Sequence, residues 1–254
     1  MNTVTSRDGT PIAYEREGSG PAVILVGGGL DDGEENAPLA SELAGDFTTY
    51  NYARRGRGAS GDTQPYAVER EIEDIEALIA EAGGRVHVYG VSSGGMFAIE
   101  AALAGLPIDK VAVYDVPYDT SAEAPQRYDQ YRVELDAALG EERRGDAVEL
   151  FMRLAGSPEE QIAGARSSPY WPGLVALAHT LAYDAALYGQ PPLARLTTLE
   201  QRTLVATGGE SGFFAAAADA VAASVPNAER ITLAGQGHVV DPKTMAAELR
   251  RFLA

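Results

Sequence analysis

Short apolar runs alternate with amphipathic segments over most of the chain, and this alternation limits the number of folds that the chain can adopt. The run AVILV at residues 22–26 is apolar throughout, as in strands that helices cover on both faces of a sheet. Residues 68–82 then repeat valine and isoleucine at helical spacing, with glutamates between them. This pattern predicts an α/β fold with a doubly wound, mostly parallel sheet. Further strands are expected at residues 12–16, 47–52, 85–89 and 111–114, and a helix at 96–103.

The alternation stops between residues 118 and 196, where helical segments rich in Tyr, Ala and acidic residues take over. We therefore expect a core domain formed by residues 1–117 and 197–254, with a helical cap formed by residues 118–196. Ligands of such sheets bind beyond the carboxyl ends of the strands. Functional residues should therefore follow strands directly.

Strand and helix return after the expected cap, with strands at 203–206 and 231–233 and a helix at 213–223 between them. A last helix should begin at Asp241, because an Asp N-cap followed by Pro242 at the first helical position is a good start signal.

The composition excludes several classes of function. The chain has no cysteine among its 254 residues, which excludes disulfides, thiolate metal sites and cysteine nucleophiles. Its net charge of -17 argues against nucleic acid and anionic membranes as partners.

The chain lacks an apolar run of about 18 residues and an apolar signal region, so we expect a cytoplasmic protein. Neither a phosphate-binding glycine motif nor a metal-ligand cluster is present, so we expect no cofactor and no metal.

The stretch GVSSGG at residues 90–95 places two serines at an expected strand-to-helix turn. The pattern G-x-S-x-G fits Gly90, Ser92 and Gly94, whereas a frame shifted onto Ser93 would put Val91 where a glycine is needed. A nucleophile on a sharp turn sits in strained backbone and needs small neighbours. Ser92 is therefore the predicted nucleophile.

Two backbone amides are expected to stabilise the oxyanion that a Ser92 attack would create. The N–H of Ser93 lies at the start of the following helix, where free donors and the helix dipole favour negative charge. The second donor should come from the glycine loop after AVILV, at Gly29, with Gly28 permitting the turn.

The order and spacing of four motifs resemble the α/β-hydrolase superfamily along nearly the whole chain. These motifs are VGGGL, RRGRGAS, GVSSGG and AGQGHVV. The resemblance implies a sheet of the α/β-hydrolase type, with residues 118–196 where many members carry a cap. It also implies that the general base is His238, in the loop between the last strand and the last helix. Of the other histidines, His87 lies inside a strand and should pack there, and His179 lies in the expected cap.

Two positions in the sequence could supply the acid that orients His238. Most members of the superfamily carry it in the loop that here reads TGGESGFF, and the usual position is occupied by Ser211, one place after Glu210. Other members supply the acid after the preceding core strand, where this chain has Asp115 in VAVYDVPY. Asp115 is favoured, Glu210 is the alternative, and a site without an acid stays open.

The resemblance implies a serine hydrolase that cleaves an ester, thioester or lactone of a small to medium apolar substrate through an acyl-enzyme. We expect Gly28, Leu30, Trp171 and His179 to contribute to its substrate pocket. Two alternatives stay open, because fold underdetermines function: a C–C bond-cleaving or non-hydrolytic enzyme (cyclase, lyase or cofactor-free peroxidase), and a small-molecule binding protein without turnover. The expected partner is a small-molecule substrate, and monomer and homodimer are both open.

Overall fold

A single sheet forms the centre of the protein, whose computed structural model describes residues 1–209 and 211–254. Within these residues the sheet has eight strands in the order β1-β2-β4-β3-β5-β6-β7-β8. The strands are β1 (Asn2–Thr5), β2 (Pro11–Gly18), β3 (Ala22–Val26), β4 (Thr48–Tyr52), β5 (Val86–Val91), β6 (Ile108–Tyr114), β7 (Arg202–Gly208) and β8 (Ala228–Leu233).

The direction of the strands divides the sheet into two parts. Strands β1, β2 and β4 pair antiparallel with one another at one edge. All pairs from β4 through β3, β5, β6 and β7 to β8 are parallel. The predicted doubly wound, mostly parallel α/β sheet is therefore confirmed, and the carboxyl ends of β3, β5, β6, β7 and β8 share one edge.

Helices cover both faces of this sheet. One apolar cluster packs α1 and α11 against one face, and a second packs α2, α3, α10 and the helices after β6 against the other. The helices are α1 (Ala37–Leu43), α2 (Val68–Glu81), α3 (Ser93–Leu103), α4 (Ala124–Gly140), α5 (Arg144–Leu154), α6 (Glu159–Arg166), α7 (Trp171–Leu177), α8 (Leu181–Ala185), α9 (Leu193–Leu196), α10 (Gly212–Ser224) and α11 (Pro242–Leu253), with a 3-10 turn at Ala178–Thr180. We use the name cap for helices α4 to α9, which lie between β6 and β7.

Two elements were not predicted from the sequence. Strand β1 is a four-residue edge strand with a single buried residue, so its apolar alternation is too short to detect. Helix α1 has seven residues and no side-chain cap on its first turn. By contrast, α11 begins as expected, with the Asp241 carboxylate accepting a hydrogen bond from the Thr244 N–H at 2.8 Å.

None of the helices in the described residues combines the length and the apolar character needed to cross a bilayer.

Candidate active site

Ser92 lies at a strained turn between β5 and α3. Its φ of 55° is in the left-handed region that L-residues avoid, and the neighbouring glycines allow the strands and the helix to approach closely. A Cβ on Gly90 would lie 2.4 Å from the Gly94 carbonyl oxygen, and one on Gly94 would lie 2.3 Å from the Val26 carbonyl oxygen. The geometry matches a nucleophile elbow, in which strain holds one hydroxyl at the top of the sheet.

The two adjacent serines have different surroundings. Ser93 is fully buried as the first residue of α3, and its hydroxyl lies 3.4 Å from Arg54 Nη1, which also bonds the Asp184 carboxylate. Ser92 is only half-buried. The Ser93 hydroxyl is therefore occupied by a buried ionic network, whereas Ser92 is the serine that retains solvent access.

Asp115 and His238 form a pair at the ends of β6 and β8. The Nδ1 of His238 lies 3.1 Å from Oδ2 of Asp115, and the other carboxylate oxygen, Oδ1, accepts the Gly208 N–H at 3.0 Å. Asp115 is 2% exposed and, like Ser92, has a positive φ, here 48°. Phe214 stacks on the imidazole with ring centroids 4.8 Å apart. The carboxylate is thus fixed by the backbone of β7 and the ring is fixed on two sides.

The alternative acid, Glu210, lies outside the described residues. The structure does describe Gly208, at the start of the loop that contains this residue. A Cβ on Gly208 would lie 2.3 Å from the Gln236 carbonyl oxygen, so only glycine lets the His238 loop pack against the end of β7.

The glycine loop after β3 lies directly beside Ser92. A Cβ on Gly28 would be 3.1 Å from the Ser92 Cβ, and one on Gly29 would be 3.2 Å from the Phe151 ring in the cap. Leu30 continues the loop with a φ of 58°. The structure therefore brings Gly28 to the serine, and Gly29 and Leu30 follow it in the same loop.

A cavity of about 640 Å³ opens between this loop and the cap. Apolar residues of the cap form one wall, and the loop after β3 forms the other. The lining residues are Gly29, Leu30, Asp31, Asp32, Glu35, Phe151, Pro169, Tyr170, Gly173, Leu174 and Leu177.

Of the predicted pocket residues, Leu30 lines this cavity, whereas Gly28, Trp171 and His179 do not. Neither Ser92 nor His238 is among the lining residues. Trp171 is half-buried and packs toward Gly145, with its Cζ2 3.5 Å from the position of a Cβ there. The ring of His179 lies between cap and core, 3.8 Å from Asp62 Oδ2 and edge-on to Tyr183. The third histidine, His87, is buried in β5, and burial lowers its pKa.

Sequence reasoning missed the carboxylates of the cavity. Asp31, Asp32 and Glu35 come from the run LDDGEE, which follows the glycine loop and could have indicated them. The Glu35 carboxylate lies 3.5 Å from the position of a Cβ on Gly28. Burial and the neighbouring Asp31 raise the pKa of Glu35, against the effect of a hydrogen bond from the Gly28 N–H. Three carboxyl groups therefore line the cavity on the side of the glycine loop.

Comparison with known proteins shows the family of the chain. The model of the Alpha/beta hydrolase family matches residues 22–248, which includes the glycine loop, the elbow and the His238 loop. The chain belongs to the Alpha/beta hydrolase family. Among solved structures, an alpha/beta hydrolase from Sphaerobacter thermophilus DSM 20745 is 47% identical, with a TM-score of 0.93 and 100% of both chains covered.

Two curated relatives match shorter parts of this α/β hydrolase. An uncharacterized hydrolase, YraK, from Bacillus subtilis (strain 168) is 33% identical over 96 residues, which are 36% of this chain and 35% of YraK. An N-formylmaleamate deformylase from Pseudomonas putida is 36% identical over 104 residues, which are 39% of each protein. The chain thus spans little more than a third of the length of these relatives.

Proposed function

We propose that this α/β hydrolase is a serine hydrolase that cleaves an ester, thioester or lactone of a small to medium, mainly apolar substrate. The observation that carries the proposal is the pair of Asp115 and His238 at 3.1 Å, on the same sheet edge as a serine held at a φ of 55°. A strained serine, a histidine and a buried carboxylate are the parts that activate a hydroxyl for attack on a carbonyl.

In the proposed reaction, the Nδ1–H of His238 donates a hydrogen bond to Asp115, so the unprotonated Nε2 is free to accept a proton. Nε2 takes the Ser92 proton as Oγ bonds to the substrate carbonyl carbon, and the N–H groups of Gly29 and Ser93 donate to the oxyanion. The tetrahedral adduct collapses when His238 returns the proton to the leaving oxygen or sulfur. Water, deprotonated by the same imidazole, then attacks the acyl-enzyme, and Ser92 recovers its proton as the carboxylic acid leaves.

The cavity supports an acyl group of small to medium size. A volume of about 640 Å³ is within the usual range for small-molecule sites, and most of its cap wall is aliphatic or aromatic. The described residues that line it include no Lys, Arg or His. An anionic substrate group would find no partner there, so neutral substrates fit the site better.

A fluorophosphonate probe, read by intact mass, tests the proposal. We expect one adduct on the wild-type protein, located on Ser92 by peptide mapping, and none on Ser92→Ala. His238→Ala should label at least about a hundredfold more slowly, because general-base assistance is lost. No adduct on the wild type at high probe excess would refute an activated serine and leave a binding protein or a non-nucleophilic enzyme.

A substrate panel then separates the remaining activities. It contains p-nitrophenyl esters of rising chain length, a thioester, a lactone, an aryl ketone with a cleavable C–C bond and an N-formyl amide, the last because one relative is a deformylase. We expect the highest kcat/KM for a short or medium ester. Turnover of the N-formyl amide alone would replace ester hydrolysis with amide hydrolysis by the same serine.

A further inference from the structure

A buried ionic network lies beneath the glycine loop. Arg54 and Arg57, from the loop after β4, are 2% and 1% exposed, and Asp184 and Glu71 are 0% and 1% exposed. Arg54 bonds both oxygens of Glu71, through Nε at 2.6 Å and Nη2 at 2.7 Å. Two positive and two negative charges thus balance in a buried site, where each hydrogen bond is strong and each unpaired group is costly.

Asp184 is the cap's contribution to this network. It lies in α8 and bridges the two arginines, with Oδ1 2.7 Å from Arg54 Nη1 and Oδ2 2.7 Å from Arg57 Nη2. Burial alone would raise the pKa of Asp184, yet the charges of Arg54 and Arg57 hold it below its ordinary value. The carboxylate is therefore ionised and fixes the direction of both guanidinium groups.

Arg57 connects this network to the predicted oxyanion donor. Its Nη1 donates a hydrogen bond to the carbonyl oxygen of Gly28. That carbonyl belongs to the same peptide group as the N–H of Gly29. A charged donor on the oxygen of a peptide draws electron density toward it and makes the N–H of that peptide a stronger donor.

We propose that Arg57 is a positioning residue that orients and polarises the Gly28–Gly29 peptide of the oxyanion hole, and that Asp184 of the cap holds Arg57 in place. This inference rests on the proposed function, because it assigns a role within the same site. It follows that the packing of the cap is coupled to the strength of the oxyanion donor: displacing α8 would release Arg57 from Asp184.

Arg57→Lys is the main test. A lysine keeps the positive charge but lacks the fork that reaches Asp184 and Gly28 together. We expect kcat for a p-nitrophenyl ester to fall about tenfold with KM nearly unchanged, less than the hundredfold or more that follows loss of a whole oxyanion donor. An aryl trifluoromethyl ketone, whose adduct with Ser92 carries an oxyanion, should lose affinity by a similar factor.

Arg55→Lys is the matched control. Arg55 comes from the same loop, is equally buried, and bonds Asp74 at 2.7 and 2.8 Å and Asp8 at 2.9 Å. None of these contacts involves the glycine loop. We expect Arg55→Lys to lower the melting temperature while the folded enzyme keeps its kcat and its ketone affinity.

The NMR chemical shift of the Gly29 amide proton is a measurement that does not depend on turnover. In Arg57→Lys and in Asp184→Asn the amide proton of Gly29 should shift upfield, because the peptide is less polarised, and in Arg55→Lys it should not move. If Arg57→Lys is folded and matches Arg55→Lys in kcat, ketone affinity and amide shift, the inference is wrong.

Two further outcomes are decisive. If Arg57→Lys and Asp184→Asn both fail to fold while Arg55→Lys folds, the network serves stability alone and the inference is wrong. If the wild-type protein gives no fluorophosphonate adduct, both the proposed function and this inference are wrong. Wild-type labelling with unaltered kinetics in Arg57→Lys would remove only the inference.

Discussion

The carboxylate of Asp115 and the imidazole of His238 meet at 3.1 Å across 123 residues of sequence. Each follows a strand of the parallel sheet, β6 or β8, and only β7 lies between these strands. The N–H of Gly208 at the end of β7 donates to the second oxygen of Asp115. The order of the strands therefore brings a carboxylate to the histidine and gives it a fixed orientation.

Asp115→Asn should lower kcat by about a thousandfold to ten-thousandfold, as loss of the orienting acid does in serine proteases. The amide oxygen of the substituted side chain can still accept the Gly208 N–H, so the melting temperature should change little. Steady-state kinetics with a p-nitrophenyl ester measure kcat, and a thermal scan measures the melting temperature. Glu210→Gln is the comparison variant and should keep kcat within a fewfold of wild type. The reverse order of effects would transfer the role to Glu210.

Gly94→Ala should destabilise the protein strongly, because its new methyl group would meet backbone rather than movable side chains. Carbonyl oxygens of Val26 and Gly27 lie 2.3 and 2.5 Å from the position of the Cβ. We expect a loss of about 3 kcal/mol or more in the free energy of unfolding, measured by urea titration.

Gly164→Ala is the matched control for that substitution. Gly164 lies in α6, and nothing lies within 4 Å of its Cβ position. Replacing glycine by alanine in an exposed helix should stabilise the fold by about 0.5–1 kcal/mol. Equal effects at Gly94 and Gly164 would contradict the close packing of the elbow.

The carboxylates of the cavity should make the enzyme discriminate by charge. Glu35 lies beside Gly28, the glycine next to Ser92, and Asp31 and Asp32 line the same cavity as Glu35. We expect the p-nitrophenyl ester of 4-(trimethylammonio)butyrate to exceed its neutral isostere, the 5,5-dimethylhexanoate, by about fivefold in kcat/KM at low salt. The glutarate monoester should be the poorest of the three. Added salt should reduce these ratios.

The dependence of this preference on pH follows from the raised pKa of Glu35. A carboxyl group with a raised pKa accepts its proton at a higher pH than an ordinary glutamate, whose pKa is about 4.3. On acidification the preference for the cation should therefore begin to fall above that pH. Glu35→Gln should weaken the preference at neutral pH, whereas Glu160→Gln on the exposed face of α6 should leave it intact. An unchanged ratio in Glu35→Gln would exclude a role for this carboxylate.

Those parts of the fold that depend on local sequence could be predicted from it. The run AVILV forms β3 at the expected bounds, and the helix expected at 68–82 extends over Val68–Glu81, because apolar periodicity and burial agree in both. The elbow follows from the glycines around Ser92. Strand β1 could not be predicted, because its short edge position leaves no detectable pattern.

The contacts between the cap and the core could not be predicted. Asp184 pairs with Arg54 across 130 residues, and nothing in the local sequence of α8 distinguishes a carboxylate that will be buried among arginines. The same reason applies to Trp171, which the sequence predicts in the substrate pocket and which the structure turns toward Gly145. Which face of a short helix meets a cavity depends on tertiary packing, which periodicity over seven residues does not determine.

The two adjacent serines should respond differently to the same substitution. Ser92→Ala should lose measurable turnover and probe labelling, because the nucleophilic oxygen is gone. Ser93→Ala keeps the backbone N–H that is proposed to bind the oxyanion and removes only the hydroxyl that accepts a hydrogen bond from Arg54 Nη1. We expect it to retain labelling and kcat within about tenfold and to lose about 1.5–3 kcal/mol of stability, the value of a hydrogen bond to a charged group. Thermal or urea unfolding, run beside probe labelling, separates the two effects, and loss of labelling in a folded Ser93→Ala would assign the nucleophile to the wrong serine.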